Sequence, residues 1–139
     1  MAFAPVPLDP TPIAPGSVDH VTLAVRDYAT ARRFYERALR PLGLSLLLDW
    51  PGGTTAHLGP PDAPSSIWLV ERRGFADHRL ALVAPDRSAV DAFHGAALVA
   101  GGRSVDAPRI RAEHTGRTYA ASVSDGGGNV LEAFCWNAA

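Results

Sequence analysis

Few side chains in this sequence are equipped for chemistry. Five histidines (His20, His57, His78, His94 and His114), one cysteine (Cys135) and an acid set in an apolar strand, Glu132 within "NVLEAF", could bind a metal, move a proton or attack a substrate. Imidazole titrates near neutrality and carries a free lone pair, so the histidines lead that group. His20 and His57 together with Glu132 would make two imidazoles and one carboxylate, the set that holds iron in non-haem oxygenases. His78 raises a sharper question, because Arg79 follows it in "HRLALVA". A strand turns successive side chains to opposite faces, so only one of the two can enter a given site. A histidine there would coordinate a cation; a guanidinium has no lone pair and would repel one.

The elements that must position these residues are legible from patterning. "VDHVTLAVRD" alternates and reads as a strand. Asp27 then caps a helix over "YATARRFYERAL", in which Ala31, Phe34, Tyr35, Ala38 and Leu42 share one face. Pro41 and Gly43 end it. "LSLLLDW", "TTAHLG" and "SSIWLVE" supply three strands. The order then repeats: "HRLALVA" is a strand, Asp86 caps a helix over "RSAVDAFHGAALVAGG", and "RSVDAPRI", "TYAASVSD" and "NVLEAFCW" are strands. Asp27 and Asp86, Phe34 and Phe93, Ala38 and Ala97, Gly43 and Gly102, and Leu23 and Leu82 are each separated by 59 residues. A constant offset over a whole supersecondary unit signals duplicated architecture. It pairs His20 with Arg79 and leaves His78 one residue out of phase.

Composition narrows the function classes. The chain has 139 residues, enough for one domain, with 13 basic and 14 acidic side chains and a formal net charge of −1. No basic surplus favours nucleic acid or an anionic membrane. One cysteine excludes an internal disulfide. Residues 1–17, with five prolines and no positively charged start, predict an extended arm rather than a signal peptide, and a cytoplasmic protein. "DGGGN" joins two strands and therefore reads as a hairpin turn, not a phosphate-cradling loop.

Paired β-α-β-β-β modules, opened by "DHVTLAVRD" and closed by "SDGGGNVLEAF", resemble the vicinal oxygen chelate superfamily over residues 18–136. Glyoxalase I, extradiol dioxygenases and the fosfomycin and bleomycin resistance proteins are members. The resemblance implies an α+β fold with module one at 18–73 and module two at 75–136. Together they form a cup-shaped mixed sheet with the helices outside, the glyoxalase/bleomycin resistance/dioxygenase-like fold. It also implies a homodimer. In metal-dependent members the first and last strands of each module supply the inward ligands. Carried over, those positions are His20, Trp68, Arg79 and Glu132, of which only His20 and Glu132 can ligate a metal.

The expectation is therefore a cup without a metal, in which Arg79 pairs with Glu132 beside His20 and Trp68. It would bind a small organic ligand, anionic or aromatic, with Trp68, His57, Phe134 and Tyr119 lining the pocket. The alternative is a metal-dependent enzyme, a glyoxalase-like lyase or extradiol-type dioxygenase. It would hold zinc, nickel, iron or manganese on His20 and Glu132 with His78 or His57. A third reading is metal-free proton transfer by His20 or Glu132, with Arg79 stabilising an anion. His94, at the helix position of Tyr35, reads as structural; His114 sits in a loop that could close over a ligand. Phe134 and Trp136 share a face with Glu132, and Cys135 is buried on the other.

Overall fold

A computed structural model describes residues 15–50, 52–63, 66–74, 77–112 and 117–136. His114 and most of the proline-rich arm lie outside the described residues. The order is β1 (Val21–Val25), α1 (Tyr28–Leu39), β2 (Ser45–Asp49), β3 (Thr55–Gly59) and β4 (Ile67–Glu71). It repeats as β5 (Arg79–Val83), α2 (Arg87–Val99), β6 (Arg103–Arg111), β7 (Thr118–Ser124) and β8 (Val130–Trp136).

Both helices start where a carboxylate is available. Asp27 accepts from the Thr30 N–H at 3.0 Å and Asp86 from the Ala89 N–H at 2.8 Å, each satisfying a donor that the first turn leaves open. After α1 a short 3₁₀ turn ends at Gly43, whose left-handed backbone (φ 83°) returns its N–H to the Arg40 carbonyl.

Each module forms its own four-stranded mixed sheet. The orders are β1-β4-β3-β2 and β5-β8-β7-β6, with a parallel pair (β1–β4, β5–β8) at one side and antiparallel pairs elsewhere. Each sheet carries its helix on one face. Leu23, Val25, Leu69 and Leu58 of the first sheet and Leu131, Ala133 and Val123 of the second belong to one buried cluster with Phe34, Tyr35, Phe93 and Ala97 of the helices. Gly102 follows α2 where that cluster is tightest: a Cβ there would lie 2.7 Å from the Phe34 ring and 2.9 Å from the Ser124 carbonyl.

The modules are also tied by polar groups. Asn129, 1% exposed, donates to the Ala24 carbonyl of β1 at 2.9 Å and accepts the His78 N–H at 2.9 Å. Asp125 accepts from the Tyr35 hydroxyl at 2.7 Å and from the Gly127 and Asn129 N–H groups, closing the β7–β8 hairpin. Burial and the facing Asp125 carboxylate raise the Tyr35 hydroxyl far above the ordinary phenol value. No helix among the described residues is long and apolar enough to cross a membrane.

Candidate functional site

The face of each sheet turned away from its helix carries the polar and aromatic side chains. In β5, Leu80 and Leu82 pack against the core while Arg79, Ala81 and Val83 are exposed on the opposite face. His78 precedes the strand, is itself exposed, and contributes its backbone to Asn129. The guanidinium and not the imidazole therefore occupies the open face. Register supports the equivalence of the last strands as well. Trp68 lies beside Thr22 and Glu132 beside Ala81, and Thr22 and Ala81 are 59 residues apart.

On the first sheet, His20 stands just before β1 with the parity of Thr22, and Trp68 and His57 are cross-strand neighbours. The His20 ring stacks on Trp68 with centroids 3.6 Å apart and planes 14° apart; His57 stacks on the same indole at 4.2 Å and 7°. Two rings so near one centroid cannot share a side, so the indole is sandwiched. Trp50 closes the row edge-on to His57 at 5.4 Å. Burial, and secondarily the charge of His20, hold the His57 imidazole below its ordinary value. The Asp19 carboxylate lies 2.8 Å from the His20 Nδ1. This arrangement corrects how Trp68 would line a pocket: with an imidazole on each face, the indole can meet a ligand only by its edge.

On the second sheet, Val130, Glu132, Phe134 and Trp136 share the open face with Ser124, Ser122, Ala120 and Thr118 of β7. Phe134 and Trp136 meet edge to face at 5.4 Å. Glu132 does not pair with Arg79, which is a second correction. It accepts from the Arg111 Nη1 at 3.3 Å, and the Arg111 Nη2 contacts Asp106, to which Arg109 also donates at 3.3 Å. The Arg109 hydrogen bond, with the Arg111 and Arg109 charges, keeps the Asp106 carboxyl below the ordinary carboxylate range.

Arg111 is only 13% exposed and Glu132 24%. The Arg111 Nε is buried with no acceptor. Arg79, Ala81, Val130 and Glu132 line a hollow of about 110 Å³ at the β5 side. A hollow of about 320 Å³ lies elsewhere, between the α1 N-terminus and the β7–β8 turn. Its carboxylates are already engaged, Asp27 as helix cap and Asp125 within the hairpin, which leaves the sheet face as the better chemical candidate.

Tyr119 is a third correction. It pairs with Cys135, not with Phe134, so it lies on the helix side. Its hydroxyl donates to Asp91 of α2 at 2.5 Å, and the Arg87 guanidinium sits 5.2 Å from its ring. The Asp91 hydrogen bond raises its pKa. Cys135 is a buried free thiol on that same side. His94 bonds Ser104 at 2.8 Å and stands apart from both open faces. Arg111 and Asp106 were missed from sequence because β6 breaks register twice.

The donor set fits a divalent cation poorly. A bound ion needs several lone pairs at roughly 2.0–2.3 Å. Among the described residues no three His, Cys, Asp or Glu side chains converge closely enough to hold one. His20 and His57 cannot share an ion, because the Trp68 indole separates their rings. Glu132 already accepts from a guanidinium, and a second guanidinium, Arg79, lines its hollow.

The profile of the Glyoxalase/Bleomycin resistance protein/Dioxygenase superfamily matches residues 17–133. The chain belongs to this superfamily. A glyoxalase/bleomycin resistance protein from Albidiferax ferrireducens T118 superposes with a TM-score of 0.72 at 25% identity, covering 84% of this chain and 97% of that one. A glyoxalase/bleomycin resistance protein/dioxygenase family enzyme from Burkholderia phytofirmans PsJN gives 0.65 at 19% identity, covering 88% and 100%. A glyoxalase I mutant from Zea mays gives 0.61 at 26% identity, covering 84% of this chain and 45% of that one. No curated protein sequence matches the chain significantly. Superfamily membership specifies the scaffold; the chemistry has to be argued from the residues on the two open faces.

Proposed function

We propose that the chain is a small-molecule-binding member of the superfamily whose metal position has been rebuilt as a charge network and an aromatic sandwich. The observation that carries this reading is the engagement of Glu132 by Arg111. A cation would have to displace one guanidinium from Glu132 while facing another, Arg79, and would gain only His20 as a further ligand from the family positions. In this reading no metal cofactor is required. On the second sheet Glu132 and Arg79 offer polar contacts to a ligand, with Phe134 and Trp136 as apolar area; on the first, His20 stands beside the rigid wall of Trp68 and His57.

The metal-dependent reading, a glyoxalase-like lyase or extradiol-type dioxygenase, needs His78 or His57 as a third ligand. The exposure of His78 and the stacking of His57 both weigh against it. A metal-free proton-transfer reading draws support from the Asp19–His20 contact, which would leave Nε2 as the proton acceptor.

Elemental analysis of protein purified without chelator tests the proposal. We expect zinc, nickel, iron and manganese all far below one equivalent. One equivalent that disappears in His20→Ala and Glu132→Ala would defeat the reading.

The assembly we propose is a homodimer. Among the described residues β1 and β5 are edge strands, each pairing on one side only. Unpaired edges of this kind invite a second chain. The buried free thiol of Cys135 suits a reducing compartment, and we place the protein in the cytoplasm.

A further inference from the structure

We propose that the hollow over β5 and β8 recognises a neutral carboxamide, with Arg79 donating to its carbonyl oxygen and Glu132 accepting from its N–H. This rests on the reading of the open face as a binding surface, and adds the place on it and the functional group it takes.

Charge is the first argument. Arg79, Leu80, Ala81, Val130 and Glu132 line the hollow, so its wall holds one guanidinium and one carboxylate. The two do not pair across it, because the carboxylate bonds Arg111 instead. An anion would be drawn to Arg79 and repelled by Glu132, and a cation would meet the reverse. A neutral dipolar group opposes neither charge. An α-amino acid would match both, but its ammonium would have to approach Glu132 beside the Arg111 guanidinium, 3.3 Å from that carboxylate.

Hydrogen-bonding capacity is the second. A guanidinium only donates and an ionised carboxylate only accepts. Arg111 takes the Oε2 of Glu132, and among the described residues Oε1 has no protein donor. Arg79 is exposed and forms no ion pair among the described residues. A ligand that answers both groups must carry an acceptor and a donor side by side. The C=O and N–H of a primary amide or a lactam do so; a carboxylate or an ester lacks the donor, and an amine lacks the acceptor.

Room is the third. Register sets Arg79 beside Val130 and Ala81 beside Glu132, which makes Arg79 and Glu132 diagonal neighbours with Ala81 next to both. A methyl group there leaves the space that a larger side chain would take. A volume of about 110 Å³ accepts a functional group and its nearest carbon atoms, whereas whole drug-sized ligands occupy pockets of roughly 300 Å³ or more. The rest of the ligand would lie along the next pair on the same face, Val83 beside Phe134, where Val83 is 65% exposed.

The test titrates the full chain with benzamide and follows the Arg79 Nε–H and the Ala81 backbone N–H in ¹⁵N spectra. Benzamide is expected to shift both saturably. Benzoate turns a charge toward Glu132 and has no donor, and N,N-dimethylbenzamide has no N–H. Each should bind about tenfold more weakly than benzamide. Arg79→Leu removes the donor, and Ala81→Leu fills the hollow while keeping both charged groups. Both positions are exposed, so the fold should survive either change, and each should weaken benzamide about tenfold.

Equal affinity for benzamide and N,N-dimethylbenzamide, or for benzamide and benzoate, would overturn the inference. So would benzamide affinity unchanged in Arg79→Leu or in Ala81→Leu. If the three compounds perturb Phe134 and Trp136 alike and leave Arg79 still, selection for an amide is wrong, whereas the face still binds small molecules. If none of them perturbs β5 or β8, the reading of the face as a binding surface falls with it.

Discussion

At the scale of single residues, Glu132 and Arg111 decide the character of the second sheet. The carboxylate is three-quarters covered, and its charge is balanced inside the protein by a guanidinium that is more covered still. Removing one partner of such a pair leaves the other partly desolvated, which costs more than the pair contributes. Arg111→Met should therefore destabilise the fold by about 1–3 kcal/mol, below the range for fully buried pairs because water still reaches Glu132. Urea unfolding would measure it, and an unchanged midpoint would mean that the pair is a loosely held surface contact.

His57 supplies a second residue-scale prediction. Its imidazole is held below 6.5 by burial and by His20, so the unfolded chain takes up this proton at a higher pH than the folded one does. The stabilisation is complete above the ordinary imidazole value and is lost as pH falls through it toward the lowered folded value. As pH falls through the ordinary imidazole value the native protein should lose more stability than His57→Gln. Parallel pH slopes for the two proteins would show that His57 does not carry the effect.

At the scale of elements, the helix caps and the close approach at Gly102 hold the duplicated units in register. Gly102→Ala would place a methyl group against the Phe34 ring and two backbone carbonyls, those of Ser124 and Ala97. We expect a loss of about 1–3 kcal/mol, seen as a lowered melting temperature. Asp86→Ala, which frees the Ala89 N–H, should cost about 1 kcal/mol by the same measurement.

The same elements show which parts of the site could be anticipated. Strands and helices followed from alternation and caps, and the 59-residue offset carried His20 onto Arg79 because β1 and β5 are short and regular. The chain alone could not reveal that Arg111 would reach Glu132. β6 slips register between Ser104 and Asp106 and again between Asp106 and Arg109, around Pro108, so counting by twos loses the face. Tyr119 was misplaced for a related reason: nothing local set the phase of β7, which is decided by its pairing of Tyr119 with Cys135. The imidazole–indole–imidazole stack depends on rotamers contributed by neighbouring strands, and no linear spacing encodes it.

At the scale of the molecule, two sheets on a common helical core are joined through Asn129. Asn129→Ala would leave the Ala24 carbonyl and the His78 N–H without the buried side chain that binds both. A loss of about 2–4 kcal/mol is expected, with hydrogen exchange rising in β1 and at the start of β5 together. Exchange that rises in one module alone would show that the junction is held by other contacts. The proposed homodimer belongs to this scale too, and light scattering on the eluted protein should return twice the mass of the chain.

We propose that the guanidinium on Glu132 takes the place a bound cation would need. Anomalous diffraction from crystals soaked in zinc or nickel would test it most directly. We predict no anomalous peak between His20 and Glu132, with the Arg111 guanidinium still on the carboxylate. A strong peak at bonding distance from the His20 imidazole and the Glu132 oxygens, with Arg111 swung aside, would contradict it.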